Sequence, residues 1–512
     1  MKLNYKRTIL VGFAFFLISA FWQAYDATIP VILTNKFGMS QTWSGVIMAL
    51  DNILALFMLP LFGALSDKCH TKYGKRTPFI VCGTVIAAVA LLGLSFVDSM
   101  QLKNISDVAK IDDPAALEAI YDSQKNATLQ TPDGDKFVLA DRFTKEEFAA
   151  IRSTGENGTN PDYTNYVAPA RQAYASQATR NNPTPLILFI ALLLLVLVAM
   201  ATFRSPAVAL MPDVTVKPLR SKANAIINLM GTAGGIIILV LGMVFATSAV
   251  RNQLMNYTVY YGVVAGLMLG ALTVFLLTVR EPAWSKQMQK DSITYGIEEE
   301  KAEETGEKRK LTKSEARSLI FILASIALWY FGYNAVTSKY AVYAGNILNM
   351  DYNTTLLLAQ AAAIIAYLPA GMVASKIGRK KTIMAGVVML TTAFGCASFL
   401  RSGSSVIVMN ILFALAGIGW ATINVNSFPM VVEMCSGSDI GRYTGYYYTA
   451  SMAAQVATPM ISGYLMDQMG MTVLFPYATV FAGLAFVTMF CVRHGDSKIA
   501  AKKGLEALDI ED

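Results

Sequence analysis

Ionisable side chains inside long apolar runs are costly unless they are paired or wetted, so each is a functional candidate by default. This sequence has few. Asp26 stands in WQAYDATIP (Trp22 to Pro30), Asp51 lies inside the next apolar run, Arg204 precedes Pro206, and Lys339 sits near the end of a later run. Asp213 and Glu433 close two others. Burial disfavours the charged form of a carboxylate, so such a group can be charged in one setting and neutral in another. That is the chemistry of a proton carrier, and Asp26, Asp51 and Asp213 are the candidates. His70 and His494 both lie outside the apolar runs and are excluded from it.

A second inventory is uncharged. Trp420, Asn424 and Asn426 fall in GWATINVNSFP (Gly419 to Pro429), Tyr333 and Asn334 follow Trp329 and Tyr330, and Gln23 and Tyr25 flank Asp26. Amides that donate and accept beside aromatic faces suit a ligand with many hydroxyls and an apolar C–H face, held in a mostly apolar pocket. With Arg204 these make the candidate binding set. Each also has a plainer reading. Buried Asn bonds between helices, Asp26 and Lys339 are close enough to segment ends to snorkel, and Arg204 paired with Asp51 or Asp213 would simply lock helices. Tyr446, Tyr447 and Tyr448 point around a helix, so one or two of them at most share a face. GTAGG at 231–235 and Gly262, Gly266 and Gly270 read as close helix packing.

The elements that must position these residues follow from composition. Of 512 residues 54% are hydrophobic and 15% charged, with a mean hydropathy of +0.45, against about a quarter charged in soluble chains. A bilayer core needs roughly 20 apolar residues per helix. Twelve segments qualify: 9–33, 43–65, 79–97, 186–211, 223–249, 257–279, 318–343, 354–374, 382–400, 405–431, 443–465 and 473–492. The fold class is therefore an all-α polytopic membrane protein with twelve transmembrane helices. Lys2, Lys6 and Arg7 precede a first span rather than a cleaved leader. The five cysteines, Cys69, Cys82, Cys396, Cys435 and Cys491, imply no disulfide framework.

With the net charge of +7, the side on which the basic residues lie matters more than their sum. Lys68, Lys72, Lys75, Arg76, Lys217, Arg220, Lys222, Lys376, Arg379, Lys380, Lys381 and Arg442 fall in short loops on one side, and only Lys36, Arg251 and Arg401 on the other, twelve against three. The first side is cytoplasmic by the positive-inside rule, with both termini there. Six segments result: a first half from 1–98 and 185–280, an extracytoplasmic insertion at 99–184, a cytoplasmic linker at 281–317, a second half at 318–495 and a tail at 496–512. The insertion is polar, carries sequons at Asn104, Asn126 and Asn157, and includes two short helical patterns, PAALEAIYDS and TKEEFAAIRS. It reads equally as a small cap or as disorder. The linker, with EEEKAEETGEKRK, reads as solvated and flexible.

After segment 2 stands Gly63, then Asp67 and Lys68, a lengthened spacer, and Gly74, Lys75 and Arg76; after segment 8 the turn repeats as Gly371, Ser375, Lys376, Gly378, Arg379 and Lys380. Twelve spans, a split of six and six, and this repeated turn resemble the major facilitator superfamily, whose loop follows GxxxD(R/K)xG(R/K)(R/K). The longer stretch from Pro60 to Ile80, with Pro60, Gly63, Ser66, Asp67, Cys69, Gly74, Pro78, Phe79 and Ile80, is similar to the sucrose/proton symporter and glycoside symporter group, which reads roughly QPxxGxxSDRCxSRxGRRRPFI there. Ala209 to Asp213 and Ala223-Asn224-Ala225 resemble the plant ALLAD and RxANA segments. The departures are equally specific. Segment 7 carries none of the plant acids, and the paired aspartates of melibiose-type sodium symporters would fall on Ala55 and Leu59, which disfavours sodium.

The resemblance implies that segments 1, 4, 7 and 10, with Asp26, Arg204 and Lys339, line a central cavity. It favours Asp213 for proton coupling, while depth favours Asp26 and Asp51. It implies that Gly63, Asp67, Lys68, Gly74, Lys75, Arg76 and Arg442 gate the cytoplasmic side, with Asp67 facing the helix N-terminus near Gly441 and Arg442. The expectation is a monomeric symporter of the cell membrane importing a di- or oligosaccharide or glucoside with a proton, its partners being that sugar and membrane lipid. No cofactor, metal or nucleic acid is expected. Enzyme readings lack a phosphate loop, a metal-spaced His/Cys cluster or a Ser/His/Asp set. The alternatives are an exporter of amphipathic small molecules and a non-transporting sensor that uses the insertion.

Overall fold

Inside lipid every backbone N–H and C=O must be satisfied within the segment, so apolar runs of this length take helical form. The computed structural model describes residues 3–155, 158–216, 219–294, 312–432, 434 and 440–494. The chain opens with α1 (Tyr5–Asn35), α2 (Gln41–Asp67) and α3 (Thr77–Asn104). The insertion follows with α4 (Pro114–Gln124), a hairpin of β1 (Thr128–Gln130) and β2 (Lys136–Val138), α5 (Lys145–Ala150), a short hairpin of β3 (Thr154–Gly155) and β4 (Gly158–Thr159), and α6 (Ala168–Asn181). Then come α7 (Thr184–Val214), α8 (Arg220–Val244), α9 (Thr258–Thr278) and α10 (Glu281–Thr294). The second half holds α11 (Lys313–Tyr343), α12 (Tyr352–Ile377), α13 (Arg379–Ala397), α14 (Val406–Val432), α15 (Ile440–Met469) and α16 (Leu474–Phe490).

Among the described residues nine helices are long and apolar enough to cross a membrane by length and composition. The apolar α12, the basic α13 and the hydroxyl-rich α15 complete the twelve, in two sets of six. Local signals set the ends. Ser40 accepts from the Trp43 amide at the start of α2, and Thr312 and Glu315 form a reciprocal capping box at the start of α11. Apolar burial falls into three bodies: one core for the first half, built around Phe21, Phe189, Phe203 and Tyr261, one for the second around Trp329, Tyr340, Phe394 and Phe475, and a separate one inside the insertion around Leu117, Ile120, Phe148 and Tyr163.

The insertion is thus a folded cap. Both helical patterns form, as α4 and α5, while α6 and the hairpins had no strong sequence signal. Residues 281–294 are not flexible linker but helix α10, held at its start by Glu281 and Trp284, with Arg7 at 4.7 Å from the Trp284 ring centre. GTAGG packs closely as expected: a Cβ on Gly234 would lie 2.6 Å from the Phe16 carbonyl. Gly262, Gly266 and Gly270 do not, since a Cβ there meets nothing within 4 Å. Asn157, Lys217, Glu433, Cys435, the linker after 294 and the tail after 494 lie outside the described residues.

Candidate functional site

Among the described residues the halves touch at one end and part at the other. At the end that carries the cap, the carboxylate of Asp467 on α15 accepts from the amides of Gln41 and Thr42 at 2.8 and 2.7 Å. Lys339 Nζ on α11 donates to the Gln41 carbonyl at 2.7 Å. Ser248 Oγ, just past α8, donates to Asp351 at 2.6 Å. The backbones of α2 and α15 meet directly, for a Cβ on Gly45 would fall 2.0 Å from the Pro459 carbonyl and one on Gly463 2.2 Å from that of Gln41. Farther along α15 a Cβ on Gly445 meets nothing within 4 Å, and Asp67 at the far end of α2 has a side chain 61% exposed. The two bundles form a V that opens at the basic end.

Asp26 lies within this V. Its neighbours Tyr25 and Ala27 are buried while Asp26 is exposed. Pro30 has no N–H to give the Asp26 carbonyl one turn earlier, which loosens α1 at that residue. Asp51 lies within electrostatic reach of both Asp26 and Arg204 and accepts from Asn52 at 2.8 Å. The Arg204 guanidinium is 5.7 Å from the centre of the Trp22 ring, and Trp22 packs edge-on to Tyr25 at 5.4 Å.

From the second half Tyr333 stacks flat on Trp420, with ring centres 3.7 Å apart and planes at 4°. Tyr330 meets Trp420 edge-on at 5.2 Å. Asn424 is hydrogen-bonded to Tyr367. Tyr333 is within electrostatic reach of Asp26 across the V, and Gln360 Nε2 donates to Gln23 Oε1 at 2.5 Å, joining the halves at mid-depth. Three polar atoms of the region, Trp22 Nε1, Tyr25 OH and Asn334 Nδ2, are buried with no hydrogen-bond partner among the described residues. Orphaned donors of this kind are uncommon away from functional sites.

The structure therefore brings together Gln23, Tyr25, Asp26, Asp51, Arg204, Tyr333, Asn334, Trp420 and Asn424. Asn426 is not among them, because it is 3% exposed and donates to the Thr422 carbonyl of its own helix at 2.9 Å. Lys339 is also elsewhere, fully buried in the cap-end junction. Gln360 and Tyr367 escaped sequence reasoning; the signal available was an isolated amide and a tyrosine on the apolar helix α12.

At the basic end Arg76 is the hub. Its guanidinium reaches Asp67 at 2.5 Å, Asp213 at 2.7 Å and Ser66 Oγ, tying together α2, α3 and α7. Asp213 is thus held by Arg76 in this cluster; the alternative partners Arg220 and Lys222 have side chains outside the description, as does Arg442, so the contact from Asp67 to the start of α15 is not described. Gly63 packs toward Ser205, and Lys68 is exposed. Glu281 was missed altogether. Its carboxylate accepts from the amides of Lys75, Arg76 and Thr77 at 2.6, 2.9 and 2.8 Å and from Thr77 Oγ1 at 2.7 Å, an anion seated on the N-terminus of α3. A Cβ on Gly74, at φ +116°, would fall 2.2 Å from that carboxylate, so glycine is required there. The sequence signal was slight: an acid followed by proline at the end of an apolar run.

The family model described as Major Facilitator Superfamily matches residues 173–365 and 352–508. The chain belongs to the major facilitator superfamily. The model described as MFS/sugar transport protein matches this facilitator over residues 10–102. Sucrose transport protein SUC4 of Arabidopsis thaliana is 39% identical over 72 residues, 14% of this chain and 14% of that protein. Proton-associated sugar transporter A of Homo sapiens is 39% identical over 66 residues, 13% of this chain and 8% of that one. These alignments span a small part of each relative. In fold the facilitator is similar to the inward open xylose transporter XylE from E. coli, with a TM-score of 0.59 at 13% identity over 99% of both chains. It is likewise similar to a bacterial homologue of the iron transporter ferroportin, with a TM-score of 0.57 at 12% identity over 96% of this chain and 99% of that one.

Proposed function

We propose that this facilitator imports a sugar, a di- or oligosaccharide or glucoside, together with a proton. It does so by rocking its two six-helix bundles about a site at mid-depth. The observation that carries the reading is the composition of the V: a stacked Tyr333–Trp420 platform, orphaned donors on Trp22, Tyr25 and Asn334, and the Asp26, Asp51 and Arg204 group facing it. Aromatic faces meet the C–H face of a sugar ring while amides and hydroxyls bridge its hydroxyls. A lining of Trp, Tyr, Asn and Gln supports this above export of amphipathic compounds, for which a Met- and Phe-lined cavity is the fitting surface. The sugar-transport match at residues 10–102 and the sucrose and proton-associated relatives lend support over the parts they cover.

In this reading the basic end is cytoplasmic with both termini, the V is inward-facing, and the protein works as a monomer in the cell membrane with no cofactor. Asp26 carries the proton, being the solvent-reached carboxylate opposite Tyr333. Asp51 stays with Arg204, and Asp213 holds the gate through Arg76. Uptake into proteoliposomes of known orientation tests the proposal. Sucrose or another glucoside is expected to accumulate when the outside is made acidic, and accumulation indifferent to the imposed pH gradient overturns the symport claim.

A further inference from the structure

Beneath the cap lies a half-open pocket, distinct from the mid-depth site. The cap is fixed to the first half. Gln172 on α6 donates to the Met39 carbonyl at 3.0 Å, and from α3 Gln101 donates to Thr179 Oγ1 at 3.0 Å and Asn104 to the Ala178 carbonyl at 3.3 Å. From that base the β1–β2 hairpin reaches over to the second half. The Met471 amide donates to the Pro132 carbonyl at 2.6 Å. Gly134 and Gly470, at φ +101° and +91°, meet backbone to backbone, a Cβ on Gly470 falling 2.5 Å from the Asp133 carbonyl carbon. Under this bridge is a cavity of about 320 Å³ walled by all three bodies: Gln41 from the α1–α2 turn, Gln130, Arg171 and Gln172 from the cap, and Asn346 and Asp467 from the second half.

The lining is built for a ligand. Gln41 is 3% exposed, and both its Nε2 and its Oε1 are buried without a partner among the described residues. Arg171 is held in the cap, its Nη2 donating to the Ile111 carbonyl at 2.9 Å, its Nη1 to that of Val108, and its side chain hydrogen-bonded to Tyr163. Unmet buried polar atoms are expensive, and those of Gln41 border this pocket. Gln130 and Gln172, which also line the pocket, use their amide nitrogens on the Gly134 and Met39 carbonyls. Asp467 is occupied by the Gln41 and Thr42 amides. The lining carries one acid, Asp467, and one base, Arg171, and Leu129, Pro132 and Met466 supply apolar wall. The volume sits at the small end of ligand sites.

We propose that this vestibule is a binding site for an uncharged polyhydroxylated small molecule of mono- to disaccharide size, entered from the cap end. The inference rests on the vestibule's own lining and stands whatever the mid-depth site transports. Because both halves wall the site, its occupant binds only while the cap end is closed and stabilises that state by mass action. The vestibule is a brake: its ligand holds the V open toward the basic end.

Hydrogen–deuterium exchange on the full chain in lipid nanodiscs, with sucrose as the probe and gluconate as a charged control, tests this. Sucrose at ten times its dissociation constant is expected to slow exchange at the Met471 and Gln41 amides by roughly tenfold. The slowing should persist in Trp420→Ala, which disables the mid-depth platform, and disappear in Gln41→Met, which keeps the backbone groups bonded to Asp467 and Lys339. Gln130→Leu, on the cap alone, repeats the loss should Gln41→Met fail to fold. No protection of the wild-type chain by sucrose overturns the proposal. So does protection that survives both vestibule substitutions, that vanishes in Trp420→Ala, or that gluconate matches.

Discussion

Two carboxylates in this molecule have opposite surroundings, and those surroundings set their roles. Glu281 is 2% exposed and satisfied four times over by the amides of residues 75–77 and the Thr77 hydroxyl. It is a structural anion. Glu281→Gln keeps the shape but turns a charge-assisted acceptor into an amide whose NH2 must face donors, and hydrogen bonds to charged groups are worth about 1.5–3 kcal/mol each. A loss of about 2 kcal/mol is expected, read as a lowered melting temperature of the purified protein; an unchanged melt shows that the cradle contributes nothing. Asp26, by contrast, is exposed to the V with its helix loosened by Pro30. Asp26→Asn removes the proposed proton carrier and leaves hydrogen-bonding capacity. Accumulation driven by a pH gradient is expected to vanish while exchange of labelled for unlabelled sugar across equal pH survives. Loss of both activities instead makes Asp26 a binding residue and places the proton on Asp51. Of these two residues only Asp26 was legible in the sequence. A charge in an apolar run announces itself, whereas Glu281 finds its partners 204 to 206 residues away along the chain, and no local pattern encodes a backbone amide as a partner.

Among the elements, α12 shows how a helix end can also be a joint. Asp351 caps it, accepting from the amides of Asn353 and Thr354, and takes a further bond from Ser248 of the other half. Burial pushes this carboxyl up, but the hydroxyls of Ser248 and Thr354 and the Asn353 amide outweigh it and hold Asp351 below the ordinary carboxylate range. A group held low when folded and released to about 3.9 when unfolded adds stability that is complete above that value. The stability is lost as pH falls through the folded value. Melting of the wild-type protein should therefore fall more steeply below about pH 4 than that of Asp351→Asn, and parallel curves contradict the assignment. Helices were the legible part of the fold, since each of the twelve apolar segments read from the sequence coincides with a helix. The cap's helix α6 and its two- and three-residue strands were not, because elements so short are fixed by a tertiary core rather than by periodicity. Lys339 shows the limit from the other side: its depth suggested the cavity, but its partner is a carbonyl across the junction.

At the scale of the whole molecule, the two bundles, the cap and the V form one system that closes at the cap end. Gly463→Val puts carbon where the Gln41 carbonyl lies 2.2 Å away, so the cap end cannot shut. Uptake is expected to fall to background while sugar binding from the cap side persists. Normal uptake by this variant denies that α2 and α15 must touch in the transport cycle. The same crossing has a mechanical consequence. Where Gly45 and Gly463 bring α2 and α15 together, bare main chain rests on bare main chain, with no side chain interposed to re-sort its rotamers as the helices roll. A pivot of that kind turns with little internal friction, so the slow step of each cycle falls to the parts that carry side chains: the platform that must release its cargo, and the bridge that must lift off Gly470.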